Sequence, residues 1–430
     1  MSDHAVWLSH SLQRIYPNTP ASETRRLSLT VARNERFSFQ ACVRNLGADV
    51  LNLHITVEGA DDFGLLVRRV GYVPVAHLNT DTPPDEQDGG YAPAFVPDPL
   101  YAEQHAQLGP LESCAFWITL YTPPDIAPGR REVRVVFTVN AQQPEVLPVD
   151  IDVRPVQIKP RRDFPVTHWF YADALCDWYR VEPFEEKFWD VVKPYMQNLA
   201  DHGVDCQHTP LFTPATDGVK RPTQLLGISE PVPGSYYFDF SNVRRWVKLA
   251  RACGARFFEW PHFFTQWGAK HAIRVYRNSR NPNSLLWPPD TGATSDKYRN
   301  FLSQFLPQFH VFLTHENLLD VSVFHVSDEP SAEHLDHYRQ ARRLLAELAP
   351  WMHVSDALSH VDYAREGLVD HPISMTSTAR AFREAGIPHW VYYCCSPRGR
   401  YAQRLIDTPL PKIRMNGWLF YKLGAQGFLH

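Results

Sequence analysis

Two different periodicities divide the chain. Over residues 1 to about 157, short apolar runs recur with turn residues between them, at 27–31, 37–43, 51–57, 114–120, 133–139 and 147–153. Several alternate apolar and polar positions, as half-buried antiparallel strands do. No long helical pattern interrupts them, and the pattern predicts an N-terminal β-sandwich over residues 1–157. Residues 79–108 break the rhythm with Pro, Gly and acidic residues interleaved with aromatics. Loops of this length are usually functional or disordered. The aromatics argue against disorder and point either to a flap packed on the following domain or to a locally ordered surface loop.

From residue 158 the pattern changes to strands alternating with helices. Strands are predicted at 164–171, 204–211, 255–261, 321–330, 352–356, 373–375, 388–394 and 426–430. Phe188, Val191, Val192, Tyr195, Met196 and Leu199 share one face of a helix over 184–201, with Pro194 kinking it. A hairpin is expected near Gly234. Ser241 then reads as the N-cap of a helix over 243–253 that Gly254 ends. A long insertion, 262–294, precedes a helix over 296–315, and further helices are expected at 331–349, 377–385 and 409–423. Eight strands with helices or loops between them predict a (β/α)8 TIM-like barrel over 158–430 rather than an open doubly wound sheet. The chain stops inside the eighth strand, so truncation and a further C-terminal segment are expected.

Composition narrows the function classes. A length of 430 residues suits two domains, and 44% hydrophobic with 21% charged residues is ordinary for a soluble globular protein. The net charge is −4 with no long basic run, which gives nucleic acid binding little support. Aromatic residues reach 13%, with 12 Trp, and suit a cleft whose flat apolar walls stack on sugar faces. The 7 cysteines form no metal-type spacing. Cys394 and Cys395 are neighbours, which rarely bridge without strain, and read as inert core thiols. The N-terminus lacks a basic region followed by an apolar one, and no apolar run approaches a membrane span. The expectation is a cytoplasmic protein, or a secreted one if a leader was removed, with no membrane partner. A homo-oligomer is left open.

The chemistry concentrates in Val321-Ser-Val-Phe-His-Val-Ser-Asp-Glu-Pro330, an apolar strand that ends in two adjacent carboxylates just before a helix. Acids can simply cap the next helix. In a barrel, however, residues at the C-terminal strand ends share one pocket. That would gather His168, Trp169, Tyr171 and Asp173 from the first strand, His208 from the second, and Glu259, Trp260 and His262 from the third. Trp267 comes from the insertion, His325, Asp328 and Glu329 from the fourth strand, Asp356 from the fifth, and Tyr392 and Tyr393 from the seventh. This mixture looks like a sugar site with a carbohydrate substrate and no cofactor. His168, His208 and His262 are read as structural or sugar-binding rather than as metal ligands. Tyr392 and Tyr393 alternate, so only one should face the pocket. Lys270 and His271 are weaker candidates for an acidic group on a sugar.

Adjacent strand residues normally face apart. A strand end or bulge can aim both acids inward, but then side by side rather than on opposite faces of a bond. That suits substrate assistance, an exception to the two-carboxylate scheme, in which the sugar's 2-acetamido group attacks the anomeric carbon. Asp328 would orient that group. Glu329 would act as acid and then base, with a pKa raised by burial and by the Asp328 charge.

The chain resembles the group known as domain-of-unknown-function family 4091, the catalytic domain of glycoside hydrolase family 123. The likeness rests on His325-Val-Ser-Asp-Glu-Pro330, Phe263-Phe-Thr-Gln-Trp-Gly-Ala-Lys270, Tyr392-Tyr-Cys-Cys-Ser-Pro397, Arg404-Leu-Ile-Asp407 with Pro409, and Gly427-Phe-Leu-His430. Arg33-Asn-Glu-Arg-Phe-Ser-Phe-Gln40 and Pro97-Asp-Pro-Leu100 also fit, so the likeness covers nearly the whole chain. It implies a β-sandwich followed by a (β/α)8 barrel. It also implies β-N-acetylgalactosaminidase-type chemistry, with Asp328 stabilising the acetamido group and Glu329 as acid/base. Two alternatives stand beside it. One is an exo-glycosidase on a sugar without the acetamido group, which needs a third carboxylate such as Glu259 or Asp356. The other is a non-catalytic carbohydrate-binding protein on a glycosidase scaffold.

Overall fold

The computed structural model describes residues 3–77, 94–214 and 221–430. The chain forms two compact units, Met1–Arg161 with Arg398–Asn416, and Arg162–Pro397 with Gly417–His430.

The first unit is β-rich. One five-stranded sheet runs, in spatial order, His4–His10, Arg36–Asn45, Ser113–Tyr121, Gly64–Val75 and Ala94–Tyr101. The other runs Leu27–Arg33, Glu145–Gln157, Gly129–Val139, Leu51–Glu58 and His105–Leu108. All described neighbours are antiparallel except Leu27–Arg33 beside Glu145–Gln157. The period-two pattern explains the packing: Leu51, Leu53 and Ile55 are buried while the residues between them are exposed. They join Val133, Val135, Leu147 and Val149 from their own sheet and Val6, Phe39, Phe116 and Ile118 from the other in one apolar core.

The loop expected over 79–108 gives way, at 94–108, to two edge strands, one in each sheet. Pro97 and Pro99 hid the first of them. Edge positions tolerate Pro because an outward N–H is not needed for pairing. The remainder of that expected flap, 79–93, lies outside the described residues.

The second unit holds a curled, all-parallel sheet of eight short strands. In spatial order these are Ser322–Val323, Phe257–Glu259, Cys206–His208, Val166–Thr167, Phe428–Leu429, Trp390–Tyr392, Ile373–Met375 and Ala357–Leu358. The first strand in the chain pairs with the last, Val166 with Phe428 and Thr167 with Leu429. An isolated parallel bridge between Phe324 and Val354 lies just outside the two outer strands of that order. The fifth strand falls at Ala357–Leu358, just past the expected 352–356.

The helices carry the expected stripes. In Asp296–His315, Tyr298, Phe301, Leu302, Phe305, Leu306, Phe309, Phe312 and Leu313 are buried at three- and four-residue spacing, and the Ser295 side chain caps its start. Helix Ser241–Cys253 ends at Gly254 with φ 111°, as expected. Its start differs: Ser241 is the first helical residue, and Asp239 Oδ1 accepts from its backbone N–H at 2.9 Å and its hydroxyl at 2.6 Å. The helix expected over 409–423 is two, Leu410–Arg414 and Asn416–Leu423, and the first belongs to the N-terminal unit. Among the described residues, no helix is long and apolar enough to cross a membrane.

Phe305 sits in a ladder of rings between Phe301 at 5.9 Å and Phe309 at 5.2 Å. We expect Phe305→Ala to cost about 3–5 kcal/mol through the cavity it leaves. Urea unfolding followed by tryptophan fluorescence would measure it, and a loss below about 1 kcal/mol would mean the ladder collapses to fill the gap.

Candidate active site

Strand alternation sorts the expected residues into two layers. Thr167, Trp169, His208, Glu259, His325 and Tyr392 share the inner layer of the curled sheet, tied by the contacts given below. Trp260 points the other way. Its ring lies 5.0 Å from Phe309, its Nε1 donates to Ser322 Oγ at 2.8 Å, and it is fully buried in the core, so it cannot touch a substrate as expected. Tyr393 also faces outward, 5.0 Å from Phe428 and 5.4 Å from His430, with His168 5.6 Å from His430. His168 and Tyr393 therefore leave the expected pocket for the layer behind the sheet. Tyr171 and Asp173 supply the cap and first turn of helix Ala172–Tyr179.

At the centre of the inner layer is a buried ion chain. Glu259, fully buried, accepts from Thr167 Oγ1 at 2.6 Å, Trp169 Nε1 at 2.8 Å and His325 Nε2 at 2.9 Å. The other ring nitrogen, His325 Nδ1, lies 3.3 Å from Asp356 Oδ1, a close ion-pair contact that is poorly directed for a hydrogen bond. Burial works to lower the His325 pKa, but the two carboxylates win and hold it at about 10. Burial likewise pushes Glu259 up, and the His325 hydrogen bond and charge return it below the usual range. His262 stacks on His325 at 4.7 Å, and burial with the His325 charge drives its pKa well down. Trp169 packs against His208 at 5.2 Å and His262 at 5.8 Å.

Asp356 is committed elsewhere too. Its carboxylate accepts from the backbone N–H of Val326 at 3.0 and 3.2 Å, from Ser327 N–H at 3.4 Å, and from the Tyr338 hydroxyl. Glu259 and Asp356, both expected at the substrate, are instead enclosed by their donors. They hold the segment that carries the acids. Among the described residues, His262, His325 and Asp356 also bring metal-type ligand atoms within 4.8 Å of one another. The hydrogen bonds already made by Asp356 and the Glu259–His325 pair account for that proximity without an ion.

The acid segment is clamped on its other side by 263–269. Phe263 N–H donates to His325 O at 3.2 Å, Phe264 N–H to Val326 O at 3.0 Å, and Trp267 N–H to Asp328 O at 2.9 Å. Ser327 Oγ donates to Thr265 O at 2.7 Å and accepts from Ala269 N–H at 3.2 Å. This clamp turns sharply: Trp267, Gly268 and Ala269 have φ of 53°, 112° and 54°. At Gly268 a Cβ would meet the His334 ring at 2.6 Å, so glycine is needed for space as well as for backbone.

The two carboxylates emerge beyond this clamp. Both are half-buried. Gln266 Nε2 donates to Asp328 Oδ2 at 3.1 Å, and the Tyr392 hydroxyl donates to Glu329 Oε1 at 2.7 Å. Glu329 has φ 43°, in the left-handed region. The strand itself ends at Val323, so the alternation that would turn neighbouring side chains apart does not hold at these two residues. Asp328, rather than the neighbour named from the sequence, is pushed up to about 6, first by burial, against the Gln266 hydrogen bond, and further by the Glu329 charge. Burial and the Glu329 charge raise the Tyr392 phenol, keeping it a donor. Trp267 stands about half-exposed, at 51%, with its backbone bound to Asp328. Gln266, Tyr338 and Thr167 had no role assigned from the sequence. Polar residues in apolar surroundings were the only signal, and their partners are distant in the chain.

The model of the glycoside hydrolase 123 catalytic domain matches residues 169–430. The chain belongs to this family. It is therefore a glycosidase with a carbohydrate substrate. Among solved structures, this glycosidase is similar to a family 123 glycoside hydrolase from Clostridium perfringens described in terms of glycolipid glycan hydrolysis. That match has a TM-score of 0.77 at 13% identity, covering 99% of this chain and 78% of the other. A putative glycoside hydrolase from Bacteroides vulgatus gives TM-score 0.35 at 10% identity, covering 93% of this chain and 72% of the other. A GH5 xyloglucanase from Bacteroides ovatus gives 0.33 at 10%, covering 95% and 92%. Comparison with curated proteins gave no match.

Two predictions follow from the electrostatics of this family 123 site. Removing one member of a buried ion pair leaves an uncompensated charge, so His325→Ala should lose about 3–5 kcal/mol of stability. Because the folded His325 pKa is raised from 6.5 to about 10, the wild-type contribution is complete below pH 6.5 and is lost as pH rises through 10. Denaturant titrations of both proteins across that window should converge at the alkaline end. Asp328 has the opposite consequence at neutral pH. Its folded pKa is raised from 3.8 to about 6, so the folded state loses stability between those values as pH rises. Asp328→Asn should then melt higher than wild type at pH 7.5 and lose that advantage by pH 4. A lower melting temperature at pH 7.5 would show that Asp328 is not held against its preferred charge.

Proposed function

We propose that this glycosidase is a retaining, substrate-assisted β-N-acetylhexosaminidase of the β-N-acetylgalactosaminidase type. We place its chemistry at the open end of a (β/α)8 barrel that follows a β-sandwich over about residues 1–157. The observation that carries the reading is the accessibility of the carboxylates. Asp328 and Glu329 are half-buried neighbours, while Glu259 and Asp356 are fully buried and enclosed by donors. A protein nucleophile would have to be a third reachable carboxylate, and neither of the two considered can serve. The sugar's own acetamido oxygen fills that role.

In this mechanism Asp328 accepts from the acetamido N–H and stabilises the positive charge that grows on the amide. The acetamido oxygen attacks the anomeric carbon as Glu329 gives its proton to the leaving glycosidic oxygen. An oxazolinium intermediate results. Glu329, now a carboxylate, takes a proton from water, which attacks the same carbon and reopens the ring with retained configuration. Gln266 aims Asp328, and the Tyr392 hydroxyl aims Glu329. Trp169, with both its neighbouring imidazoles, forms an inner wall, and Trp267 offers an exposed indole for a sugar face. The glycolipid glycan named for the C. perfringens relative is a substrate class worth including.

Release of p-nitrophenol from β-GalNAc, β-GlcNAc, β-Gal and α-arabinofuranoside conjugates tests the reading. Turnover should be confined to an N-acetyl sugar. Glu329→Gln and Asp328→Asn should each lower kcat by about 10²–10⁴-fold, the size of an acid/base contribution. Near-wild-type rates in either variant would end the proposal. Cleavage of a sugar without the acetamido group would return the nucleophile to a protein carboxylate.

A further inference from the structure

Five of the cysteines, Cys42, Cys114, Cys176, Cys206 and Cys253, are buried, but Cys394 is half-buried and Cys395 is exposed. The last two are thus not the inert core thiols expected from sequence. Their sulfurs stand 3.8 Å apart. Two thiolates about 2.3 Å from one ion, at a tetrahedral angle, also stand about 3.8 Å apart. The pair is therefore spaced to chelate without rearrangement.

Its place in the fold matters more. Cys394 follows strand Trp390–Tyr392 and lies two residues beyond Tyr392, whose hydroxyl holds Glu329 at 2.7 Å. The Glu329 charge reaches the Cys394 sulfur: burial first, then that charge among others, pushes the thiol up to about 11. A thiol so weakly ionised is a poor redox sensor, since those are low-pKa and exposed. Adjacent cysteines also fall short of the Cα separation a relaxed disulfide needs. Capture of a soft ion needs neither a low pKa nor a sulfur–sulfur bond, and thiolates select soft ions.

We propose that Cys394 and Cys395 form a dithiol site for a thiophilic metalloid or metal ion, and that an ion held there blocks the work of Glu329. With a trivalent arsenical, two As–S bonds form, the As–O double bond breaks, and both thiol protons leave on that oxygen as water. Nothing is oxidised or reduced. The blocking half of the proposal rests on Glu329 being the acid/base, so site and consequence are read separately.

The test treats the full chain with phenylarsine oxide. Intact mass should show one adduct per chain, with two fewer titratable thiols. Turnover should fall at least tenfold and return on adding 2,3-dimercaptopropanol. Cys395→Ser, a change at an exposed position, should keep its basal activity and show neither adduct nor inhibition. Cys394→Ala should behave the same way and serves as the second variant. An adduct that persists in both variants overturns the site. An adduct at one per chain with an unchanged rate overturns the link to Glu329. Mass and thiol count do not depend on which sugar is cleaved, so they stand or fall apart from the proposed mechanism.

Discussion

Everything at the mouth of the curled sheet hangs on one buried imidazole. His325 lies between Glu259 and Asp356, and all three are almost wholly out of water. Isolated, each charge would carry a desolvation penalty of several kcal/mol. Together, and with every carboxylate oxygen engaged by donors, they become a rigid joint. Glu259 fixes the Trp169 indole and Thr167 from the first strand, while Asp356 fixes the backbone of Val326 and Ser327 from the fourth. Segments at the ends of four strands are thereby tied together through a single cation.

That joint makes the second feature affordable in structural terms. Glu329 occupies a left-handed backbone region, and the 267–269 turn beneath it does the same three times in succession. Such residues cost of order 1–3 kcal/mol each when not glycine, and they persist only where their surroundings over-determine them. Here the surroundings are Asp356 on one side and the hydrogen bonds from Phe263, Phe264 and Trp267 on the other. The result is two neighbouring carboxyls in one place, each with its own donor. Burial first, and then the Glu329 charge, push Asp328 up to about 6.

The aromatic content has a more ordinary cause than a sugar cleft. Trp7, Trp189, Trp246, Trp260 and Trp287 are all buried, and the Phe ladder of helix Asp296–His315 fills the space behind the third and fourth strands. Trp169 and Trp267 are tied to the residues that hold or flank the acids.

Periodicity and strand endings were local properties, and they were readable without a structure. The β pattern of Leu51–Glu58, the stripe of Asp296–His315, the Gly254 stop and the Asp328–Glu329 pair at a strand end all depend on residues within a few positions of each other. That only one of two adjacent residues faces inward also followed from alternation, as Tyr392 and Tyr393 show, but which one did not. The roles of Glu259 and Asp356 did not follow. A carboxylate reads as reactive in a sequence, and only the donors that surround it, brought from 18 to 92 residues away, reveal it as scaffold. The edge strands at 94–108 and the exposed Cys394–Cys395 pair were hidden for the same reason. Burial and pairing belong to the partner across space, and a linear sequence does not name that partner.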